Sequence, residues 1–403
     1  MFFAVSSLRH RAAPVLGACA LALLAACGGG GWDETVASEA VTVTTSASLA
    51  PSASLAEVCT TEGEQAFVRS YLDERYLWWD RIPAVDRSAH ADAASYFRAL
   101  LLRSPDAAGR VADRFSTVLA ASDADAMLMA SADPAAAVLA TGGYALPLVS
   151  TVDSAGGRRV GYLLFNKHGR GAQDALIDAV TALRDARIQD LVLDLRHNAG
   201  GYLHIAQALA SMVAGPAQQG QVFESLRYND KRAADGAGRT LKFEDTVQVG
   251  ESRYGKGHPL PQLGLPRLYV LATGMTCSAS ESIVNGLRGV GIEVVIVGET
   301  TCGKPYGFHR KNNCGKAYFA IEFQGVNAAG FGDYAGGFAP RCPVTPDPAA
   351  ALGDAREPLL AAALHHIDSG RCPAAAKSSP AATVRMAPDA LGLQGRLLDD
   401  APQ

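Results

Sequence analysis

The 403-residue sequence is poor in charge, in aromatic side chains and in long apolar runs, and these shortages exclude several classes of protein. Charged residues make up 19% of the chain and the formal net charge is −4. Because no basic stripe with interleaved aromatics occurs, nucleic acid is not an expected partner. No run of about 20 apolar residues follows the N-terminal region, so nothing there should span a bilayer. No cysteine or histidine spacing matches a zinc site, and we expect no metal and no other cofactor.

Residues 1–26 have the pattern of a signal peptide that is removed before folding. Arg9 and Arg11 precede an apolar run that ends in LAAC at residues 24–27. This ending resembles a bacterial lipobox, which implies diacylation of Cys27 and retention on a membrane surface. The next position holds Gly28, and in this the sequence resembles the lipoproteins that are sorted to the outer membrane. We therefore expect a periplasmic protein that is anchored to the membrane. The alternative is an ordinary secretory signal followed by a chance cysteine.

The rest of the chain divides into five predicted segments. They are a flexible tether at 27–56, a helical N-terminal domain at 57–120, a linker at 121–159, a core at 160–372 and a disordered tail at 373–403. In the helical domain Phe67, Tyr71 and Trp78 are spaced for one face of a helix. Core packing is the expected role of the aromatic pair Trp78 and Trp79, and lining a peptide groove is the alternative.

The core alternates strand-like and helical patterns, which predicts βαβ units and a largely parallel sheet. The predicted strands lie at 160–165, 191–195, 267–271, 293–297 and 316–324, and the predicted helices at 172–186, 203–213, 280–287 and 359–367. A polar stretch at 216–266, with strand-like pieces at 221–228 and 240–249, predicts a hairpin insertion.

Ser278 lies between a predicted strand and a predicted helix. The first N–H groups of a helix lack intrahelical partners and can face a developing oxyanion, so a serine at such a turn can act as a nucleophile. The alternative is purely structural, because Ser278 and Glu281 also form an S-x-x-E capping box.

Lys304 follows another predicted buried strand, 26 residues after Ser278. A nucleophilic serine needs a positioned base, and a lysine can act as that base if burial keeps its amine neutral. The pKa of its amine has to fall from about 10.4 to near 7. Glycines at 298 and 303 allow the loop to bend the lysine inward.

A third motif decides between these alternatives. The sequence DLRHNAGG at 194–201 is a buried strand running into a turn with two glycines. The DLRxNxGG turn, the SASE turn at 278–281 and the GK loop at 303–304, in that order, resemble the C-terminal processing peptidases, also called tail-specific proteases. The resemblance covers about 160–348, with weaker similarity at 68–116.

The resemblance implies an α/β fold, with a spiral ββα core like that of ClpP and crotonase, and the chemistry of acyl transfer. It makes Ser278 the nucleophile and Lys304 the general base. The backbone N–H groups of Ala279 and of Gly200 or Gly201 would form the oxyanion hole. The implied partner is a protein or peptide substrate.

Two positions depart from the family pattern. Where relatives often place a glutamine or an aspartate to orient the lysine, this chain has Phe308 and Gly289. The candidates for that role are Asp194, Glu299 and His309. His197, in the glycine turn, is an alternative base, although a structural role is the expected one.

The region of residues 116–160 is too short for the PDZ domain that relatives usually carry, so recognition of a substrate's C-terminal tail is not expected by that route. The leading hypothesis is a membrane-tethered serine endopeptidase. The alternatives are a catalytically weak peptide- or lipid-binding module on the same fold and a crotonase-like acyl-CoA enzyme, which the export signal disfavours.

Six cysteines besides Cys27 remain after the signal peptide, and an even set in an oxidising compartment favours disulfides. Proximity along the chain suggests the pairs Cys302–Cys314 and Cys342–Cys372, and Cys59–Cys277 by elimination. The alternative is buried free thiols. Cys277 is not expected as a nucleophile, because no histidine or cationic side chain is adjacent in sequence.

Overall fold

A computed structural model of the chain describes residues 48–106, 109–129, 148–232, 239–374 and 396–397. From Leu49 onward the described residues belong to one compact unit. The predicted signal peptide, Cys27 and most of the tether lie outside them, as do the middle of the predicted linker and most of the predicted tail. Among the described residues, no helix is both long and apolar enough to cross a membrane.

Seven α-helices occur within the described residues. They are α1 (Thr61–Arg75), α2 (Ala93–Leu100), α3 (Ala121–Met129), α4 (Ala172–Asp185), α5 (Leu203–Ala214), α6 (Ala279–Gly289) and α7 (Pro358–Ser369). The helices predicted in the core are confirmed to within a few residues.

The strands of the described residues form three sheets. They are β1 (Thr117–Ala120), β2 (Leu148–Asp153), β3 (Arg159–Leu164), β4 (Asp190–Asp194), β5 (Gly201–Tyr202), β6 (Val222–Tyr228), β7 (Thr240–Lys242), β8 (Arg267–Ala272), β9 (Glu293–Gly298), β10 (Tyr306–Phe308), β11 (Lys311–Asn313), β12 (Lys316–Phe319), β13 (Phe323–Val326), β14 (Cys342–Pro343) and β15 (Arg396–Leu397).

The sheet that positions the site has six strands in the order β14-β9-β8-β4-β3-β2. All neighbours are parallel except β2, which pairs antiparallel with β3 at the edge. Nearly every residue of β3, β4, β8 and β9 is buried, as their continuous apolar sequences require of strands covered on both faces. The predicted α/β class with a largely parallel sheet is confirmed.

The register of β8 and β9 brings two loops together. Ala272, at the end of β8, pairs with Gly298, at the end of β9, an offset of 26 positions. Ser278 and Lys304 are separated by the same offset. Because parallel strands release their following loops at the same edge of the sheet, both residues emerge side by side.

The N-terminal helices pack against a three-stranded sheet of order β1-β12-β11. The rings of Phe67 and Tyr71 on α1 lie 5.9 and 6.3 Å from the ring of Tyr318 on β12, centroid to centroid. Trp78 meets the ring of Tyr306 on β10 edge-on at 5.0 Å. The core packing predicted for Trp78 and Trp79 is seen, since both are partly buried against the hydrophobic core, and Trp78 lies beside the strand that follows Lys304.

The structure differs from the sequence-based prediction in several segments. The strand predicted at 316–324 is divided into β12 and β13, and residues 396–397 of the tail predicted to be disordered form β15. β2 belongs to the main sheet, although its residues were assigned to the linker. Residues 52–55 at the end of the predicted tether form a short 3-10 helix, and Ser52 N donates to Glu74 on α1 at 2.7 Å. The strand predicted at 240–249 ends at Lys242, where its pairing with β6 stops.

The disulfides correct two of the three predicted pairs. Cys342–Cys372 is confirmed. The pairs Cys302–Cys314 and Cys59–Cys277 are wrong, because the bonds present are Cys59–Cys314 and Cys277–Cys302. Cys314 turns out to lie at the turn between β11 and β12, whereas Cys277 and Cys302 lie in the two loops that carry Ser278 and Lys304.

Candidate active site

Ser278 occupies a strained turn between β8 and α6. Its backbone has φ 58° and ψ −113°, a conformation that costs a non-glycine residue about 1–3 kcal/mol. The side chain is fully buried, and its Oγ has no hydrogen-bond partner among the described residues. A capping serine would bond the first turn of the helix, so capping alone does not explain this hydroxyl. The strain and the unsatisfied hydroxyl match a nucleophile turn.

Lys304 is fully buried beside two aromatic rings. Its Nζ lies 4.8 Å from the ring centroid of Phe115 and 4.7 Å from that of Phe308. Phe308 lies on β10, the strand that follows Lys304, whereas Phe115 lies in the N-terminal region just before β1. The rings shield the amine from water.

The carboxylate of Glu281 joins the serine turn to the lysine loop. It is fully buried and accepts hydrogen bonds from both. Its donors are Ser278 N at 2.8 Å and Lys304 N at 2.8 Å to Oε2, with Gly303 N at 2.9 Å and Thr301 Oγ1 at 2.5 Å to Oε1. Burial raises the pKa of this carboxyl, and the four hydrogen bonds act in the opposite direction.

The glycine turn after β4 lies directly against the serine turn. Asn198 O accepts from Cys277 N at 3.1 Å and from Ser280 Oγ at 3.0 Å. A Cβ on Gly200 would stand 3.0 Å from Ala279 N and 2.9 Å from Cys277 O, and its φ is +98°. Only glycine allows this approach. Gly200 N donates to Asn198 Oδ1 at 3.0 Å, so this N–H group is already engaged within the turn.

Two family profiles match this chain along the parts that build the site. Residues 159–312 match "Peptidase family S41", and residues 63–117 match "Peptidase S41 N-terminal domain". The chain belongs to peptidase family S41. The predicted relationship to the C-terminal processing peptidases is confirmed, and this family is one of serine-type peptidases.

Two relatives show how far the likeness extends. A carboxyl-terminal-processing protease of Picosynechococcus sp. is 28% identical over 158 residues, 39% of this chain and 32% of that protein. The match thus spans about a third of the length of that curated relative. A crystal structure of a Bacteroides fragilis protein assigned to the S41 proteases has a TM-score of 0.57 at 21% identity, covering 75% of this chain and 97% of that chain. This second likeness shows the fold.

At both positions that depart from the S41 pattern, the residue present is in close contact with its neighbours. Phe308, at the expected glutamine position, lies over the lysine amine. At Gly289, the expected aspartate position, a Cβ would stand 2.7 Å from the Cβ of Asn327. A side chain there would clash, so the site has no room for that aspartate.

The candidate residues for orienting Lys304 have other contacts. Asp194 accepts from Tyr162 Oη at 2.7 Å and pairs with Arg196. His309 Nδ1 lies 2.8 Å from a carboxylate oxygen of Glu322. Glu299 is partly exposed after β9. These contacts account for Asp194 and His309 without a role at the lysine.

His197, the alternative base, is partly exposed in the glycine turn. Burial lowers the pKa of its imidazole, which keeps it neutral near pH 7. The structural role expected of His197 stays a prediction, with a catalytic role as the alternative.

Sequence reasoning missed Phe115 and assigned Glu281 only to helix capping. Arg114, beside Phe115, donates to Gly303 O at 3.0 Å and to Cys302 O at 3.3 Å. Arg114 therefore binds carbonyl groups of the lysine loop, whereas Glu281 binds its N–H groups. No pattern in the sequence links these distant residues. The S-x-x-E spacing was the only available signal for Glu281.

A short strand from the C-terminal region, β15, lies between the glycine turn and the strand that follows Lys304. The backbone of β15 pairs in parallel with β5 on one side and with β10 on the other. Arg396 is thereby placed between Gly201 of the glycine turn and Gly307 of the strand after Lys304. An extended peptide therefore fits between the candidate oxyanion donor and the lysine strand.

Proposed function

We propose that the chain is a serine endopeptidase that cleaves periplasmic proteins or peptides, with Ser278 as nucleophile and Lys304 as general base. The observation that carries the proposal is the buried, unsatisfied Oγ of Ser278 on a strained turn that Glu281 joins to the lysine loop. A hydroxyl that is buried without a partner costs about 1–3 kcal/mol, which a structural serine would avoid.

The reaction divides into two acyl transfers. In the first, the neutral amine of Lys304 takes the Ser278 proton while Oγ attacks the peptide carbonyl. The N–H groups of Ala279 and Gly201 stabilise the oxyanion, and the lysine ammonium then protonates the leaving amine. In the second, the same amine takes a proton from water, which attacks the acyl-enzyme, and returns it to Ser278.

The pairing of β15 supports an extended substrate. A peptide that adds as a strand between β5 and β10 gains backbone hydrogen bonds on both sides without regard to its sequence. Such binding would not require a PDZ domain, which has no room in residues 116–160.

The membrane anchor is part of the proposal and rests on the LAAC ending at residues 24–27. Replacing Cys27→Ser should release the protein from membranes into the soluble periplasmic fraction. Retention of the variant in the membrane fraction would contradict lipidation at Cys27.

Hydrolysis of an unfolded protein tests the dyad. With carboxymethylated casein as substrate, we expect Ser278→Ala and Lys304→Met each to lower kcat/KM at least about 1000-fold. Ser225→Ala and Lys242→Met, on β6 and β7, are matched controls and should cleave like the wild type. Activity that survives Ser278→Ala rules out this nucleophile.

The binding-module alternative is favoured by one observation, the phenylalanine at position 308 where relatives often carry the orienting glutamine. The same assay separates the two functions, because a binding module would retain casein without cleaving it. Retention without products would support the alternative.

A further inference from the structure

The Cys277–Cys302 disulfide lies inside the proposed active site. Cys277 directly precedes Ser278, and Cys302 lies two positions before Lys304. The two Cα atoms are 5.2 Å apart. Of the three disulfides among the described residues, the other two join segments outside these loops.

The disulfide joins the two loops that follow the neighbouring strands β8 and β9. β8 and β9 end in register, and Cys302 N donates to Thr276 O at 3.0 Å, so the loops already run side by side. The Glu281 carboxylate also links the two loops, since it accepts from Ser278 N and from Lys304 N. Cys302 Sγ lies 3.5 Å from Glu281 Oε2, the oxygen that accepts from Ser278 N and Lys304 N.

We propose that the Cys277–Cys302 disulfide is a positioning element, which holds Ser278 against Lys304 so that peptidase activity requires this bond. The inference rests on the proposed Ser278/Lys304 mechanism. Proton transfer needs the nucleophile and the base within hydrogen-bond reach, and a displacement of about 1 Å can cost about 100-fold in rate. A covalent link one residue from the nucleophile limits that displacement.

Reduction would also disturb the carboxylate. A dithiol reductant transfers two electrons and two protons, becomes a disulfide itself and leaves two thiols, through attack of its thiolate on one sulfur. Cys302 is partly exposed and Cys277 is fully buried, so attack occurs at the Cys302 sulfur. The new Cys302 thiol then competes as a donor for the oxygen that holds both loops.

The bond links activity to the compartment. Disulfides form in oxidising compartments and are reduced in the bacterial cytosol. A chain that has not been exported would therefore lack the bond and stay inactive.

A comparison of two double variants tests the inference. Cys277→Ala/Cys302→Ala removes the bond in the site, and Cys342→Ala/Cys372→Ala removes a matched one, since the bonded cysteines are 25 and 30 positions apart in sequence. Both are purified from an oxidising compartment and assayed for kcat, KM and Tm with a peptide substrate. We expect the first to lose at least about 100-fold in kcat with little change in KM. The second should lose a similar amount in Tm and keep kcat within about twofold.

Reversible reduction gives a second readout. The wild type titrated with dithiothreitol should lose activity as Cys277 and Cys302 become accessible to alkylation, and regain it on reoxidation. Activity that persists after both cysteines are alkylated, or equal losses of kcat in both double variants, overturns the inference. If the oxidised wild type neither cleaves peptide nor reacts with a serine-directed probe, the proposed function itself fails, and the inference fails with it.

Discussion

At the scale of single residues, the site depends on one carboxylate that contacts no substrate in the proposed reaction. Glu281 is fully buried and accepts four hydrogen bonds, two at each oxygen. A buried carboxylate is tolerated only when it is satisfied in this way. Its position three residues into the serine turn allows one side chain to fix the helix start and the lysine loop together.

Replacing Glu281→Gln tests this role. The amide has one acceptor oxygen, and its NH2 group would face backbone N–H donors. We expect the free energy of unfolding to fall by about 1–3 kcal/mol and kcat to fall at least about tenfold. Urea unfolding and casein hydrolysis measure the two effects. Glu293→Gln, at an exposed carboxylate at the start of β9, is the matched control. Unchanged stability and kcat in Glu281→Gln would contradict the role.

His168 gives the protein a predictable sensitivity to acid. It is buried beside Asn198, and burial lowers its pKa to about 3, against about 6.5 when unfolded. Between these values only the unfolded chain takes up the proton. Stability should therefore fall as pH falls below about 6.5, by up to about 1.4 kcal/mol per pH unit from this group.

The variant His168→Asn removes that titration. Urea unfolding between pH 7 and pH 4 should show a shallower loss of stability than in the wild type. His365→Asn, at an exposed histidine, should keep the wild-type slope. The same slope in all three proteins would show that His168 is not the group responsible.

At the scale of elements, the positions of the core strands and helices could be predicted from the sequence, and the register between the strands could be predicted in part. Continuous apolar runs and helical periodicity locate β3, β4, β8, β9 and the helices between them. The spacing of 26 between Ser278 and Lys304 equals the offset of the β8–β9 pairing. That equality becomes visible only when the two strands are known to be neighbours.

The cysteine pairs show why proximity in sequence is a poor guide. Cys302 and Cys314 are near in the chain, but β10 and β11 lie between them and carry Cys314 toward Cys59. Cys277 and Cys302 follow adjacent parallel strands and therefore meet. Strand order, which sequence spacing does not specify, decided the pairing.

The strand β15 makes a prediction about the C-terminal region. Because it pairs with both β5 and β10, it occupies the place proposed for an extended substrate. Deleting residues 391–403 should therefore lower KM for a peptide substrate several-fold with little change in kcat. Deleting residues 398–403 alone leaves β15 intact and serves as the control. Identical KM values for the two truncations would contradict competition by this strand.

At the scale of the whole molecule, long-range contacts link distant parts of the chain to the site, and these were not predictable. Phe115 from the N-terminal region covers the amine of Lys304. Arg196, in the DLRxNxGG turn, is buried and forms a two-pronged ion pair with Glu357 at the start of α7, at 2.7 and 2.9 Å. Neither partner is identifiable from local pattern, because both depend on how separate elements pack.

The Arg196 ion pair predicts a large effect on stability. Arg196→Met leaves the buried carboxylates of Asp194 and Glu357 without their cation, so the free energy of unfolding should fall by about 3–5 kcal/mol. Arg356→Met removes a neighbouring arginine that is exposed to solvent and should have no measurable effect in the same urea titration. A small change in Arg196→Met would show that the ion pair does not hold α7 to the core.

The measurement that tests the central claim most directly is the site of covalent acylation. The oxidised protein is treated with a serine-directed fluorophosphonate and digested, and the modified residue is identified by mass spectrometry. The account predicts one adduct, on Ser278, which forms much more slowly in Lys304→Met because the base is missing. An adduct on another serine, or hydrolysis of casein with Ser278 unmodified and unreactive, would contradict it.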